Sequence, residues 1–373
     1  MSHIERDRVT IVTQGSASNG SAFFRALQYA PLLRERGLIV EESPASIAVR
    51  RVAGRAGAAL LLAEHVARYA LRERELRALL DDSDAVLVQR GAYPIGPPHL
   101  LRALERFPGR VVYDLDDATF LPTPTLAHRG RLARWAYEDR QALTLLERAD
   151  TVIVSTAELA EALPGGRADA VLPTIPDVWA YPTATQSDEG PLRLGWIGSV
   201  GNLAYLDVLR GVLERVAGDA TAVLEVVSNE PWRGPARFTN WDRQREAAAV
   251  GGFEVGIMPL PDTPYTRAKA GFKLLQYMAA GCAVIASPVG VNSWLVERSG
   301  AGLLASTEQE WEQAIRTLAA DRELRASQGA SGQAFARSFA DRARHVGVLA
   351  AALGGERLPS VPVPARSVDD DAA

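Results

Sequence analysis

Residues 261–292 read PDTPYTRAKAGFKLLQYMAAGCAVIASPVGVN, and the punctuation of this run decides the architecture. Two prolines mark a loop. A segment with helical periodicity follows, beginning near Lys269 and ending at Gly281. The apolar tetrad Ala283-Val284-Ile285-Ala286 comes next and has the length and composition of a buried strand. Its carboxyl end opens into Ser287-Pro288-Val289-Gly290-Val291-Asn292, a turn-forming loop. Helix, buried strand and glycine-containing loop in that order make one unit of a parallel α/β sheet.

The same run holds the chain's lysines. Of 41 basic residues, Lys269 and Lys273 are lysine and all others arginine. A composition that uses arginine wherever it serves keeps lysine where a compact point charge is needed. At i and i+4 the pair is expected to share one helix face, where like charges repel unless an anion lies between them. The N-terminus of a helix favours an anion, so a diphosphate fits. A solvated basic face is the plainer alternative.

Working outward, the pattern repeats. Strands are expected at residues 192–197, 223–227, 254–258 and 302–305, with helices over 308–351. Towards the N-terminus, strands are expected at 9–13, 38–42, 85–89, 111–115, 151–155 and 170–172, with helices at 22–36 and 58–80 and one opened by Pro97-Pro98. The pattern lapses over 173–191, which carries four prolines and reads as a linker. The chain is therefore read as α/β, two Rossmann-like domains with parallel sheets facing a central cleft. The expected boundaries are 1–176, 177–353 (with the last helix packing back on the first domain) and a disordered tail over 354–373. The linker and that last helix would form the hinge of a closing cleft.

The length of 373 residues suits two domains. A formal net charge of −4 speaks against a nucleic-acid partner. One cysteine, Cys282, forms no internal disulfide and suits a reducing compartment. The charged start of the chain is not a secretory signal, and the apolar stretch over 58–63 is too short to cross a bilayer. A cytoplasmic protein is expected.

The run FKLLQYMAAG…VIASPVGVN resembles a branch of the retaining family-4 glycosyltransferases, the glycosyl transferases group 1, that uses Lys and Gln in this stretch. FRALQY (24–29), VYDLDDA (112–118), LGWIGS (194–199) and VGIMPLPDTPY (255–265) support the resemblance, which spans most of the chain. The family pattern brackets a glycine-containing turn and this helix with an acidic residue and, after seven residues, a glutamate. The matching positions are Ala268 and Gln276, with Gly271 in the turn, so both acids are absent. The resemblance implies the GT-B fold and transfer of a sugar from a UDP or GDP sugar with retention. It implies no metal and no cofactor beyond the donor. Gln276 would hydrogen-bond the ribose, since an amide both donates and accepts; either Lys269 or Asp262 would cover for Ala268, or the donor sugar is unusual.

The donor-side candidates are thus Gly198, Ser199, Lys269, Gly271, Phe272, Lys273 and Gln276. Lys269, Lys273 and Asp116 are the candidates for the chemistry. Gly15 and Ser16, in the turn after the first strand, let a substrate approach the backbone; with Arg25 and Asp114 they form the acceptor-side candidates. That turn lacks the spacing of a dinucleotide fingerprint, and either glycine loop could be a mere tight turn. Asp114 and Asp116 end a strand and are expected on one face, with Asp117 on the other; one of them positions the acceptor or caps the next element. Their spacing resembles the metal motif of the GT-A fold, which the second Rossmann-like unit argues against. His65, His99 and His128 lack metal spacing, and Cys282 reads as packing. A sugar-nucleotide epimerase on the same scaffold, or a sugar-nucleotide-binding module without turnover, are the competing readings. A small-molecule acceptor of specialised metabolism is favoured over a polysaccharide; its identity and the oligomeric state are not legible.

Overall fold

A computed structural model describes residues 7–45, 55–93, 101–121, 140–187 and 189–359. The chain forms two compact units. Among the described residues, the first comprises 7–45, 55–93, 101–121, 140–155, 159–173 and 342–359, and the second 156–158, 174–187 and 189–341.

The first unit is a six-stranded sheet in the order β2-β1-β3-β4-β5-β6. Its strands are β1 (Arg8–Thr13), β2 (Ile39–Pro44), β3 (Ala85–Gln89), β4 (Arg110–Leu115), β5 (Thr151–Val154) and β6 (Ala170–Val171). All pairings are parallel, and β3 is buried along its whole length. Strands buried on both faces read as continuous apolar runs, which is why they were legible.

In the second unit the order is β12-β11-β10-β7-β8-β9, again all parallel. The strands are β7 (Leu192–Ile197), β8 (Ala222–Ser228), β9 (Ala236–Asn240), β10 (Val255–Met258), β11 (Ala283–Ala286) and β12 (Gly302–Leu304). Chain order reverses between β7 and β10. Such a switch point opens a ligand crevice at the carboxyl ends of the strands.

Several expectations need correction. Residues 22–36 are not one helix but α1 (Gly20–Arg25), a 3₁₀ turn and α2 (Ala30–Glu35). Ala26 leaves the helical region, and Pro31 then occupies the first turn of the new helix, where no N–H is needed. Strand β9 gave no signal because it is an edge strand with mostly solvated residues. The stretch 173–191 is not a bare linker: Ile175, Val178, Tyr181 and Ala184 are buried in the second unit's core. The long helix α3 spans Arg55–Asp81. The expected helical region over 308–351 is three helices, Glu308–Ala320, Arg322–Phe339 and Arg342–Gly354. The Asp321 carboxylate caps the second of them, accepting from Leu324 N at 2.9 Å. The third packs Val346, Val348, Leu349, Ala352 and Leu353 into the first unit's core. In the tail, Leu358 packs on that core. Residues 360–373, the Pro97-Pro98 helix start, His99 and His128 lie outside the described residues.

The second sheet is held open at its switch point by Tyr277, which lies on α4 (Phe272–Ala279). Between β7 and β10 the register runs only over Leu194–Val255 and Gly195–Gly256. Beyond that the Tyr277 hydroxyl stands between the strands. It accepts from Ile197 N at 3.1 Å and donates to Ile257 O at 3.3 Å. The ring fits because Gly256 has no Cβ; one there would lie 2.1 Å from it. Tyr277→Phe removes both partners of buried backbone groups. It is expected to cost about 1–3 kcal/mol of unfolding free energy in urea at unchanged m value; parent-like stability would show that the strands close without the hydroxyl.

Candidate active site

At the carboxyl edge of the second sheet, four segments meet near the switch point. Gly198 follows β7 directly, its N–H donating to Val227 O at 3.1 Å. A Cβ on Gly198 would lie 2.6 Å from the Trp196 ring and 2.8 Å from Lys273 Cε, so this glycine makes room for the lysine stem. The Lys273 ammonium stands 5.5 Å from the Trp196 ring centroid. That of Lys269 stands 4.7 Å from Tyr265 and 5.8 Å from Tyr205. Aromatic faces attract ammonium groups, and these contacts fix where both lysines stand.

Lys269 is not on the helix. Gly271 takes a left-handed φ of 63° and breaks the chain between the lysines, so α4 begins at Phe272. The expected shared helix face is therefore wrong; Lys269 belongs to the preceding turn and is buried. A Cβ on Gly271 would meet Leu295 at 2.6 Å and Val291 at 2.9 Å besides. No side chain caps the start of α4, which leaves a helix terminus suited to an anion beside Lys273. Across the turn, Gly290 packs on the Arg267 carbonyl. Ser287 Oγ accepts from Leu260 N at 3.0 Å, tying the loop after β11 to the one after β10. Ser199 receives a hydrogen bond from Asn202 Nδ2 at 3.1 Å, which shapes the turn after Gly198.

Gln276 does not face this turn. Its amide donates to Tyr181 Oη at 3.0 Å and Glu246 Oε1 at 3.2 Å, and Trp241 Nε1 donates to Glu246 Oε2 at 2.9 Å. Burial pushes the Glu246 carboxyl above its ordinary range, against the hydrogen bonds from Trp241, Tyr181 and Gln276. The amide is committed to this internal network, which sets it apart from the ribose contact expected of it. Ala268 is buried as well, and Asp262 is engaged by Arg267 through Nε at 2.5 Å and Nη2 at 2.8 Å. Cys282 is fully buried, and burial pushes its thiol up, as befits packing rather than nucleophilic chemistry.

The first unit assembles a second polar group at the ends of β3 and β4. Asp116 accepts from Ser21 Oγ at 2.5 Å and from Arg90 Nε at 2.7 Å; Arg90 Nη2 reaches Asp117 at 2.8 Å. Asp116 and Asp117 thus share one arginine rather than opposite faces, because β4 ends at Leu115 and strand alternation stops there. Arg90 adopts a left-handed φ of 61°, a strained position for a residue with a side chain. It gave no sequence signal because arginine is everywhere in this chain.

Arg25 and Asp114 pair with each other in the interior. They are 2% and 0% exposed, joined in a fork whose Nε–Oδ2 arm is 2.9 Å and whose other arm runs from Nη2 to Oδ1. Arg25 Nη1 also donates to the Leu172 carbonyl. Burial raises the Asp114 carboxyl, and the guanidinium opposes it. The pair knits α1 to β4 and β6, so the assignment of either residue to an acceptor is corrected: both side chains are spent on the fold. Gly15 and Ser16 do lie at the edge, after β1. Thr13 Oγ1 donates to Gly15 O at 2.6 Å, and Ser16 and Ser18 hydroxyls are 2.6 Å apart. Among the described residues, no cluster of three His, Cys, Asp or Glu is arranged to hold a metal, and no helix is long and apolar enough to cross a membrane.

Residues 195–321 match the family described as Glycosyl transferases group 1. No curated protein matches the chain. Among solved structures, sucrose-phosphate synthase from Thermosynechococcus elongatus is similar at 15% identity and a TM-score of 0.64, over 94% of this chain and 100% of that one. Anabaena HepE, solved with UDP and glucose, is similar at 16% identity and 0.63, over 94% and 100%. WaaG, a glycosyltransferase involved in lipopolysaccharide biosynthesis, is similar at 14% and 0.58, over 93% and 100%. The two parallel sheets therefore have the GT-B fold, and the second unit carries a glycosyltransferase domain of the group 1 type.

Asp114→Ala strands the buried Arg25 charge and is expected to lower stability by about 3–5 kcal/mol in denaturant melts. A loss below about 1 kcal/mol is what an exposed pair would give and would show that the pair does not hold the fold.

Proposed function

We propose that this chain is a retaining, metal-independent glycosyltransferase of family 4 that works in the cytoplasm. It moves a sugar from a UDP or GDP sugar, held by the second unit, to a small-molecule acceptor held by the first. The observation that carries the reading is the donor-side turn. Two ammonium groups, both on aromatic faces, lie with an uncapped helix start at the switch point of a Rossmann-like sheet. A leaving nucleoside diphosphate gains negative charge as the glycosidic bond breaks, and fixed positive groups stabilise that change. Lys269 and Lys273 are the residues for this role. Gly198, Ser199, Gly271 and Phe272 shape the backbone around the phosphates. Asp116, held by Ser21 and Arg90, is the acceptor-side group. The structure of HepE with UDP and glucose supports a UDP donor by analogy of fold.

Lys269→Ala and Lys273→Ala are each expected to weaken UDP or GDP binding about tenfold or more in calorimetry while leaving uridine or guanosine binding nearly unchanged. Equal losses for diphosphate and nucleoside would remove the phosphate role. Arginine at either position should not restore full affinity, because its planar fork does not reproduce a compact charge.

Turnover should persist in chelator, and NMR of the product should show the anomeric configuration of the donor. Inversion, or activity lost to chelator and restored by a divalent ion, contradicts the proposal. Isomerised donor formed without acceptor would identify an epimerase instead. A binding module without turnover is favoured by one observation, the internal commitment of Gln276; it predicts tight donor binding with neither transfer nor hydrolysis.

A further inference from the structure

Among the described residues of the first unit, one arginine is buried with no carboxylate within ion-pair distance. Arg72, on α3, is 8% exposed. Its Nη1 donates to Ser43 Oγ at 2.6 Å and its Nη2 to the Ser43 carbonyl, while Nε has no acceptor. Among the described residues no carboxylate lies within ion-pair distance of it. The adjacent Glu73 turns away: one oxygen accepts from Tyr93 Oη at 2.9 Å and the other faces Arg77 at 3.6 Å. Burial lowers the Arg72 pKa, with Tyr93 and Glu75 only partly offsetting it. Among the described residues, the other buried arginines have an acid: Arg25 has Asp114, and Arg325 has Glu254 at 3.2 Å. Arg72 stands apart from them.

Its position is equally telling. Ser43 is the penultimate residue of β2, level with Val12 of β1, so the guanidinium sits at the carboxyl edge of the first sheet. Gln14, which leads the loop of Gly15 and Ser16, donates to Tyr93 O at 3.0 Å, and Tyr69 meets the Tyr93 ring edge-on at 5.1 Å. That edge is where parallel α/β sheets receive ligands. A buried cation lacking a fixed counter-charge is costly to keep, and a ligand that brings the counter-charge removes the cost on binding.

We propose that the acceptor is an oxyanion, a sugar or small molecule bearing a carboxylate or a phosphate, and that Arg72 is the specificity-determining residue that receives it. The inference rests on the assignment of the first unit to the acceptor. Ser43 uses Nη1 and one proton of Nη2. The side of the guanidinium formed by Nε and the remaining Nη2 proton is the one that takes a carboxylate or phosphate through two parallel hydrogen bonds. Nε is buried and has no acceptor, so the oxyanion supplies the partner that this side of the guanidinium lacks. Glu73 stays on Tyr93 and keeps the site from being neutralised from within.

The test uses the full chain with UDP at saturation, so that the anion-binding turn of Lys269 and Lys273 is occupied. Inorganic phosphate and glucuronate are titrated separately by calorimetry, and the tighter of the two identifies the kind of oxyanion. At least one should bind to the UDP-saturated parent and to Lys273→Ala. Its affinity should drop about tenfold or more in Arg72→Gln and less in Arg72→Lys, which keeps the charge but not the fork. Parent-like anion binding in Arg72→Gln overturns the proposal, as does loss of all anion binding once UDP is present. If Arg72→Gln does not fold, Arg72→Lys decides, and parent-like binding there overturns it. Failure of the donor assignment shows separately, as no heat on UDP titration; parent and Arg72 variants are then compared without UDP.

Discussion

A tyrosine hydroxyl wedged between two parallel strands is the contact on which the proposed donor turn depends. Here the register of β7 with β10 runs only over Leu194–Val255 and Gly195–Gly256, and Tyr277 takes over the backbone groups of Ile197 and Ile257 beyond. The residue that spreads the strands also lies on the helix that carries Lys273, so opening the sheet and placing the lysine are one packing event. Gly256 and Gly195 complete it, the first admitting the Tyr277 ring and the second the Phe253 ring, whose centroids are 6.3 Å apart. A side chain at Gly256 would collide with the Tyr277 ring of the helix that carries Lys273, and one at Gly195 with the Phe253 ring beside it.

Each unit buries an ion pair, Arg25 with Asp114 in the first and Arg325 with Glu254 in the second, and the second also sets the ammonium groups of Lys269 and Lys273 over aromatic faces. In the first, Asp114 and Arg25 neutralise each other inside, and Arg90 serves Asp116 and Asp117 together. An interior pair of that kind is not a source of binding energy for a ligand, because both charges are already satisfied. Lys269 and Lys273, whose ammonium groups lie over aromatic faces, and Arg72, which has no carboxylate within ion-pair distance among the described residues, differ in this from the many arginines engaged in ion pairs.

How much of this was legible follows from the kind of signal involved. Strands buried on both faces announce themselves as apolar runs, so β3, β7 and β11 could be placed within a residue, whereas the solvated edge strand β9 could not. The lysine pair was visible through its rarity, but its geometry was not. Deciding that Lys269 precedes the helix requires knowing that Gly271 is left-handed, and glycine permits both hands. Arg25 and Asp114 lie 89 positions apart, and nothing in either neighbourhood names the other. Gln276 sits where a ribose contact was expected by resemblance, yet its partners Tyr181 and Glu246 come from a stretch read as linker and from beside a strand that was missed. Tyr265, by contrast, lies in the motif itself and could have been picked out as a partner for Lys269.

The helix Arg342–Gly354 belongs to the first unit although nearly the whole second unit precedes it in the chain. A ribosome adding 5–20 residues per second needs roughly 10–30 s to make the intervening ~170 residues. Through that interval the surface that will receive Val346, Val348 and Leu349 has no cover, while the second unit can already close on itself. The first half of the protein, though made first, is the last to be completed. Its exposed apolar face is the place where a nascent chain would need a chaperone, and a truncation just before residue 342 would leave that face permanently bare.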